Sequence, residues 1–411
     1  MKKIFALMLA IVLAAATIPA MAAMELTWLQ HWEEPGLKVW AQDLTDQFME
    51  LHPDVYILNE NVGNDAHERM LQMKVAAGDP PIITDLSRYD LYKSFSEAGH
   101  LVPLDDMECV DRVNSDMLDA ARVNGQLWGI TLTQNAVSTA FYNKDVFEQA
   151  GVEIPTTYSE WIDCLTKLRE AGFVPIAAPY ALPWTIGNSV HAFIYPHCWG
   201  ADINWPEDKV KLASNFADDE NFKKAMTQFF ELNEFYQDDP FGTNWEDAQN
   251  MVAYGEAAMV INGIWTIQAV LDKNPDCNIG FFPVPTTEDP ADTKLPMQAG
   301  SGMVLLNDPD PERLAMGKEL MNFINTPEAA QQFVEKAMQI SAVEGLDYSF
   351  CEPLQGIVDY ENKLHLSGGH SWVSEYTTPF QDLIAKYLLD GNTDVDAFAV
   401  ELDAIFSAAA N

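Results

Sequence analysis

The strongest constraint on the fold is an alternation of two hydrophobic periods that fills the first hundred residues. "MELTWLQ" reads as a strand ended by the turn-rich "HWEEPG", and Leu37–Leu51 then carries Trp40, Leu44 and Phe48 at helical spacing. "HPDVYILNENV" reads as a second strand, and Ala66–Ala77 as a second helix stopped by Gly78-Asp79-Pro80-Pro81. "PIITDL" reads as a third strand, and "SRYDLYKSFSEAG" as a third helix with Gly99 at its end. Strands separated by helices predict an α/β architecture with parallel sheets, because parallel neighbours need a crossover long enough to hold a helix.

Beyond this region the pattern is less regular. "NGQLWGITLTQNAVSTAFYN" reads as two extended stretches meeting at Thr133-Gln134-Asn135. A helix, a Pro-punctuated turn, a helix with Ser159 as its N-cap and a strand follow in "KDVFEQAGVEIPTTYSEWIDCLTKLREAGFVPIA". Residues 185–236 are helical and aromatic-rich, with a break around "CWGADINWPED". Then come the strand in "GEAAMVINGIW", the strand "GFFPVP", a polar linker "TTEDPADTK", the strand "GMVLL", and helices over 312–325 and 327–338. The C-terminal hundred residues read as mainly helical, and no internal repeat is visible.

The first 22 residues read as a secretory leader, outside the fold. Lys2 and Lys3 form a basic start, Ile4–Ala16 an apolar run, and Ala20-Met21-Ala22 a cleavage site. No cysteine stands at that site, so a released chain beginning near Ala23 is expected in the periplasm or another extracytoplasmic space. About 390 residues remain, enough for two domains with cores of their own. The formal charge is −39, and −41 once Lys2 and Lys3 are removed. Such a field repels nucleic acid and anionic lipid. With only six arginines in the chain, an anionic ligand that wants a guanidinium fork is also disfavoured. The five cysteines, Cys109, Cys164, Cys198, Cys277 and Cys351, show no C-x-x-C spacing, so neither a zinc site nor a redox pair is indicated. Any disulfide is expected to stay within one domain.

Signatures of enzymes are weak. "HWEE" is not H-E-x-x-H, and neither a G-x-S-x-G elbow nor a P-loop occurs. "GSG" before a strand is a tight turn rather than a phosphate cradle. Acidic pairs are abundant, so residue types alone leave a glycosidase open.

The order of segments is similar to that of the extracytoplasmic solute-binding proteins of ABC importers, in the carbohydrate-binding group that includes maltose-binding protein. The resemblance runs from about Met24 to the C-terminus. It is carried by "GEAAMVINGIW", "NIGFFPVP" and "GSGMVLL" in that order, with "GITLTQNAVSTAFYNKDVFEQAGVEIPTTYSEW", "FINTPEAAQQFVEKAMQISAV" and "LTWLQHWEE". It implies a two-domain periplasmic-binding-protein fold, a type II flytrap, with hinge crossovers and a ligand cleft between domains. One domain would combine 24–133 with 290–340, the other 134–289 with 341–411. Crossings would fall at Thr133-Gln134, near Pro285 to Pro290, and near Ser341. The resemblance further implies a monomeric, non-catalytic carrier of a carbohydrate ligand that docks on a membrane permease, with no cofactor or metal.

A neutral sugar presents C–H patches that stack on aromatic faces and hydroxyls that pair with planar polar side chains. In open α/β sheets, ligands sit beyond the carboxyl ends of the strands. That rule selects His31, Trp32 and Glu33, with Glu34, after the first strand, and Asp85 after the third. It selects Gln134 and Asn135, with Thr133, at the first crossover, and Gly263 and Trp265 after "AAMVIN". Ser301 before "MVLL", Trp184 after Pro183 and Trp372 after "SGGHS" complete the set. Each has a structural alternative. Trp265 is either a stacking platform on the lip of the cleft, with Gly263 giving ligand and backbone a close approach, or it packs its helix on the sheet. Trp32 is a rim residue or local packing; Asp85 meets the ligand or caps the helix starting at Ser87; Gln134 and Asn135 bind or only turn the hinge. Trp40, Trp161 and Trp199 read as core or local packing. Two other readings stay open: a secreted glycoside hydrolase, and a polyamine- or cation-binding protein of similar fold that would use the acidity.

Overall fold

The computed structural model describes residues 24–32, 34–366 and 374–410. The leader, Glu33 and Trp372 lie outside the described residues.

The opening alternation forms β1 (Met24–Gln30), α1 (Pro35–Leu51), β2 (Val55–Asn61), α2 (Asn64–Ala77), β3 (Ile83–Leu86) and α3 (Tyr89–Glu97). Pro35 begins α1 where a missing N–H leaves nothing unsatisfied, and Leu37, Trp40, Leu44 and Phe48 form its buried stripe. The middle of the chain supplies β4 (Ile130–Thr131), β5 (Gln134–Ala136), β6 (Thr139–Asn143), α4 (Tyr158–Glu170), β7 (Val174–Ile176), α5 (Pro183–Ile194), α6 (Glu220–Glu231) and α7 (Trp245–Ala253). Next come β8 (Ala257–Asn262), α8 (Thr266–Lys273), β9 (Ile279–Phe282), β10 (Leu295–Ala299), β11 (Gly302–Leu305), α9 (Pro311–Ile324) and α10 (Pro327–Ala337). The chain ends with β12 (Lys363–Leu366), α11 (Ser374–Leu389) and α12 (Val395–Ala409).

Two sheets organise two lobes. The first has strand order β2-β1-β3-β11-β4 and the second β9-β6-β8-β7. Both are mixed, where the alternation predicts parallel sheets. In the first, β1 runs parallel to β2 and β3 while β11 is antiparallel to β3 and β4. In the second only β7 and β8 are parallel, and β6 opposes β8 and β9. The reason lies in how the chain enters. Gly302, the first residue of β11, pairs with Leu86 at the end of β3, and Thr139, the first of β6, pairs with Asn262 at the end of β8. Each strand arrives from the middle of the molecule, at the carboxyl edge of its neighbour, and needs no helical crossover.

A third small sheet, β12-β10-β5, lies between the two. Beside it Thr133 and Ser341 form an antiparallel bridge, with Gln134 N donating to Ile340 O at 2.9 Å and Ala342 N to Leu132 O at 2.9 Å. The segments around Thr133-Gln134 and Ser341 thus lie side by side. Thr286 and Thr287 still bond to second-lobe helices, β10 pairs with β5 and β12, and the chain joins the first sheet only at Gly302.

In the first lobe α10 packs on α1, with the Trp40 indole N–H donating to Ala329 O at 3.1 Å. Trp40, Trp161 and Trp199 are all buried, as expected. The second lobe is filled by aromatics such as Phe222, Phe230, Phe380 and Phe398. All five cysteines are buried and free, and burial pushes the Cys109 and Cys164 thiols up to about 12. Among the described residues no helix is long and apolar enough to cross a membrane.

Candidate functional site

Where β1, β3 and β8 end and β11 begins, beside the β4–β5 junction, a cavity of about 190 Å³ opens. Topology brings seven of the expected residues to its wall: His31, Trp32, Glu34, Thr133, Asn135, Trp265 and Ser301. Trp265 comes from the second lobe, His31 and Ser301 from the first, and Asn135 from the small middle sheet.

Trp265 stands just ahead of α8 and is half-buried, packed against the first core and against a small cluster of Val137, Tyr195, Trp199 and Leu366. Gly263 is itself buried, and the close approach it permits is to this indole: a Cβ there would collide with the six-membered ring of Trp265. The expectation that Gly263 makes room for ligand is corrected accordingly. Trp184 does not line the cavity. It is 38 % exposed, lying edge-on to Trp265 at 6.3 Å and to Trp245 at 5.9 Å, so the three indoles form a row on the second lobe.

Trp32 is a wall rather than a rim. It is 5 % exposed because Trp28 and Trp40 nest around it, with ring centroids 5.5 and 5.8 Å away. Asp85 lies below the cavity, 1 % exposed, and His31 covers it with Nδ1 against Oδ2. Its other oxygen is 3.8 Å from His67 Nε2 and makes no hydrogen bond among the described residues. Thr84 Oγ1 donates to Leu29 O at 2.9 Å, so it accepts from His67 Nε2, also at 2.9 Å, which makes that nitrogen the protonated one. Burial holds the His67 imidazole below its ordinary range, against the pull of Asp85. Asp85 caps nothing: α3 starts at Tyr89 with Arg88 at the N-cap and no side-chain cap. What Asp85 does is hold one nitrogen of His31, fixing the ring that lines the cavity.

Gln134 turns away from the cavity and donates from Nε2 to Ser341 O at 3.2 Å, a hinge contact. Ser301 is bracketed by glycines for packing reasons. Gly302 N donates to Tyr92 Oη at 3.0 Å, and a Cβ on Gly302 would strike that hydroxyl.

Sequence reasoning missed Leu37, Leu132, Phe333 and Gln339. Leu37 and Phe333 carried only the signal of a helical apolar face, and a cavity wall and a core wall share that pattern. Gln339 lies two residues before the Ser341 crossing, a position that marked it in retrospect.

The wall therefore combines a half-buried indole with hydroxyl and amide groups. Among the described residues Glu34 is its sole carboxylate, and Asn135 Oδ1 is buried with no protein partner. Such a surface suits an uncharged polyhydroxylated molecule: a ring face against Trp265 and hydroxyls toward Asn135, Thr133 and Ser301.

The chain is 22 % identical to the multiple sugar-binding protein of Streptococcus mutans over 332 residues, 79 % of this chain and 77 % of the relative. Among solved structures, "SBP RafE in complex with raffinose" superposes with a TM-score of 0.78 at 20 % identity, covering 94 % of this chain and all of that one. A chitin oligosaccharide binding protein gives 0.81 at 17 % identity, with 94 % and 99 % covered. At these identities the structures establish the two-domain fold. Residues 32–331 match the family described as bacterial extracellular solute-binding protein, and the chain belongs to that family.

Proposed function

We propose that this protein binds a neutral oligosaccharide in the cavity between its lobes and delivers it, outside the cytoplasm, to the membrane subunits of an ABC importer. The observation that carries the reading is the pairing of Trp265, half-buried and facing open space, with uncharged hydrogen-bonding groups on the opposite walls. The names of the relatives, a multiple sugar-binding protein and binding proteins for raffinose and chitin oligosaccharide, support the same ligand class. A ligand that touches both lobes favours the closed arrangement, and closure marks the loaded carrier for its permease. The leader is removed on export and the mature chain acts as a monomer. Glycoside hydrolysis needs two carboxyl groups flanking the bond to be cut, and the described wall offers Glu34 alone.

The acidity of the chain, −39 overall, gives the cation-binding reading its one specific support. A thermal-shift screen of neutral oligosaccharides against putrescine and spermidine, at low and at moderate salt, separates the two. The expected result is a raised melting temperature with at least one sugar, because a ligand that binds only the native state stabilises it. The shift should be unchanged by salt, since screening acts on charge and not on stacking. A shift confined to the polyamines and abolished by salt overturns the sugar reading.

A further inference from the structure

A hydrogen bond apart from the Thr133–Ser341 bridge joins the two lobes. Gln268, in the first turn of α8, donates from Nε2 to Lys336 O in the last turn of α10, at 2.9 Å. The helix α8 belongs to the second lobe, packed on α7, which in turn packs on β8. Its partner α10 belongs to the first lobe, packed on α1. The end of α10 explains why this carbonyl accepts. Met338 caps that helix in the left-handed conformation, at φ 49°. Carbonyls of a last helical turn find no donor further along the helix, and they carry the negative end of its dipole. The Gln268 amide supplies one of those donors from the other lobe.

The surroundings fit this contact closely. Gly36, in the first turn of α1, lies so near that a Cβ there would collide with both Lys336 O and Gln268 Nε2. Lys336 Nζ pairs with Asp43 on α1, which pins the same turn of α10 to the first lobe. Gln268 is buried, and its Oε1 makes no hydrogen bond among the described residues, so the donated bond is what orients the amide. Rigid elements couple the bond to the cavity. Trp265 is the N-cap of α8, and Gln268 follows three residues on in the same turn. Leu37 adjoins Gly36 on α1, and Phe333 stands one turn before Lys336 on α10. Trp265, Leu37 and Phe333 all line the cavity. Any motion that draws Trp265 away from Leu37 and Phe333 therefore draws Gln268 away from Lys336 O.

We propose that Gln268 is a latch between the lobes, a positioning residue that holds them together beside the cavity without touching the ligand. Both partners belong to the chain itself, so the bond favours the closed arrangement before a ligand arrives. A ligand then has less closure to drive and binds more tightly for it. The net contribution of one hydrogen bond biases the closed arrangement by about three- to tenfold. The latch adds a regulating residue to the carrier reading, and only the affinity part of its test rests on that reading.

The test is small-angle X-ray scattering of the ligand-free mature chain beside two variants. Gln268→Met keeps the length of the side chain and removes the donor, and Gln268→Glu sets a carboxylate against the carbonyl end of α10. Melting temperatures supply the folding control; should the charged variant not fold, Gln268→Met decides alone. Wild type should match the radius of gyration calculated from this structure, and both variants should be larger, Gln268→Glu the more so. Calorimetric titration with raffinose, maltotriose and xylotriose should show Gln268→Met weakening every sugar that binds by the same factor, about three- to tenfold. The factor is common because Gln268 acts through closure and does not line the cavity. Folded variants with the wild-type radius overturn the latch, as does a ligand-free wild type as open as Gln268→Glu. Sugars weakened by unequal factors make Gln268 a contact residue and overturn it too. If no sugar binds, the sugar reading falls, while scattering still decides the latch.

Discussion

Trp265 shows how one side chain carries two roles that sequence reasoning had set against each other. It is half-buried, lines the cavity and closes over Gly263, so platform and packing are the two faces of one ring. Trp265→Ala should cost ligand binding about 1–3 kcal/mol through the lost ring contact. Its cost in folding stability should stay below the ~3–5 kcal/mol typical of a fully buried tryptophan. Gly263→Ala is the sharper probe, because it keeps the indole and evicts it from its place; binding should fall comparably. Titration and unfolding of the two ligand-free variants check this, and a Gly263→Ala protein with unchanged affinity would show that the ring's position does not matter. That an aromatic follows this strand was legible from "AAMVINGIW". That the missing Cβ serves the ring was not, because the contact depends on how the indole folds back over its own chain.

At the level of single elements, the signals that worked were periodicities and stops. The one that misled was the cap of α4. Ser159 is not the N-cap; Thr157 is, with its Oγ1 accepting from Glu160 N at 3.2 Å while Glu160 Oε2 accepts from Thr157 N at 3.3 Å. The pattern T-x-x-E in "TYSE" announces this reciprocal pair, so here the sequence held the answer and the nearer serine hid it. Ser159 instead bonds through Oγ to Glu288 at 2.8 Å on the exposed surface. Thr157→Ala should therefore destabilise by about 1 kcal/mol and Ser159→Ala by a few tenths at most. Urea unfolding of the two single variants decides it, and equal losses would return the cap to Ser159. The direction of β6 and β11 was a different kind of miss. Both read correctly as strands, but whether a strand runs with or against its neighbour depends on the side from which the chain arrives, which its own residues do not encode.

Across the whole molecule, burial leaves a titration signature on stability. Desolvation lowers the pKa of His67 in the first lobe and of His191 and His197 in the second, with His191 brought from 6.5 to about 4. The unfolded chain takes up protons near the ordinary histidine value while the folded chain refuses them, so stability falls as pH drops through 6.5 toward 4. Each withheld proton contributes a slope of up to about 1.4 kcal/mol per pH unit. Chemical unfolding at about pH 7.5 and about pH 5 should show the loss, and His191→Gln should lessen it; an unchanged slope in the variant would place the effect elsewhere. By itself the sequence determined the α/β class, the order of most elements and the presence of indoles after strand ends. These are local properties, written in period, turn residues and composition. Only tertiary structure decided that Asp85 lies under His31, that Trp32 is enclosed by Trp28 and Trp40, and that Asn135 at the cavity stands opposite Gln298. Those outcomes join residues far apart in the chain, and they depend on strand register and close packing, to which no single segment holds the key.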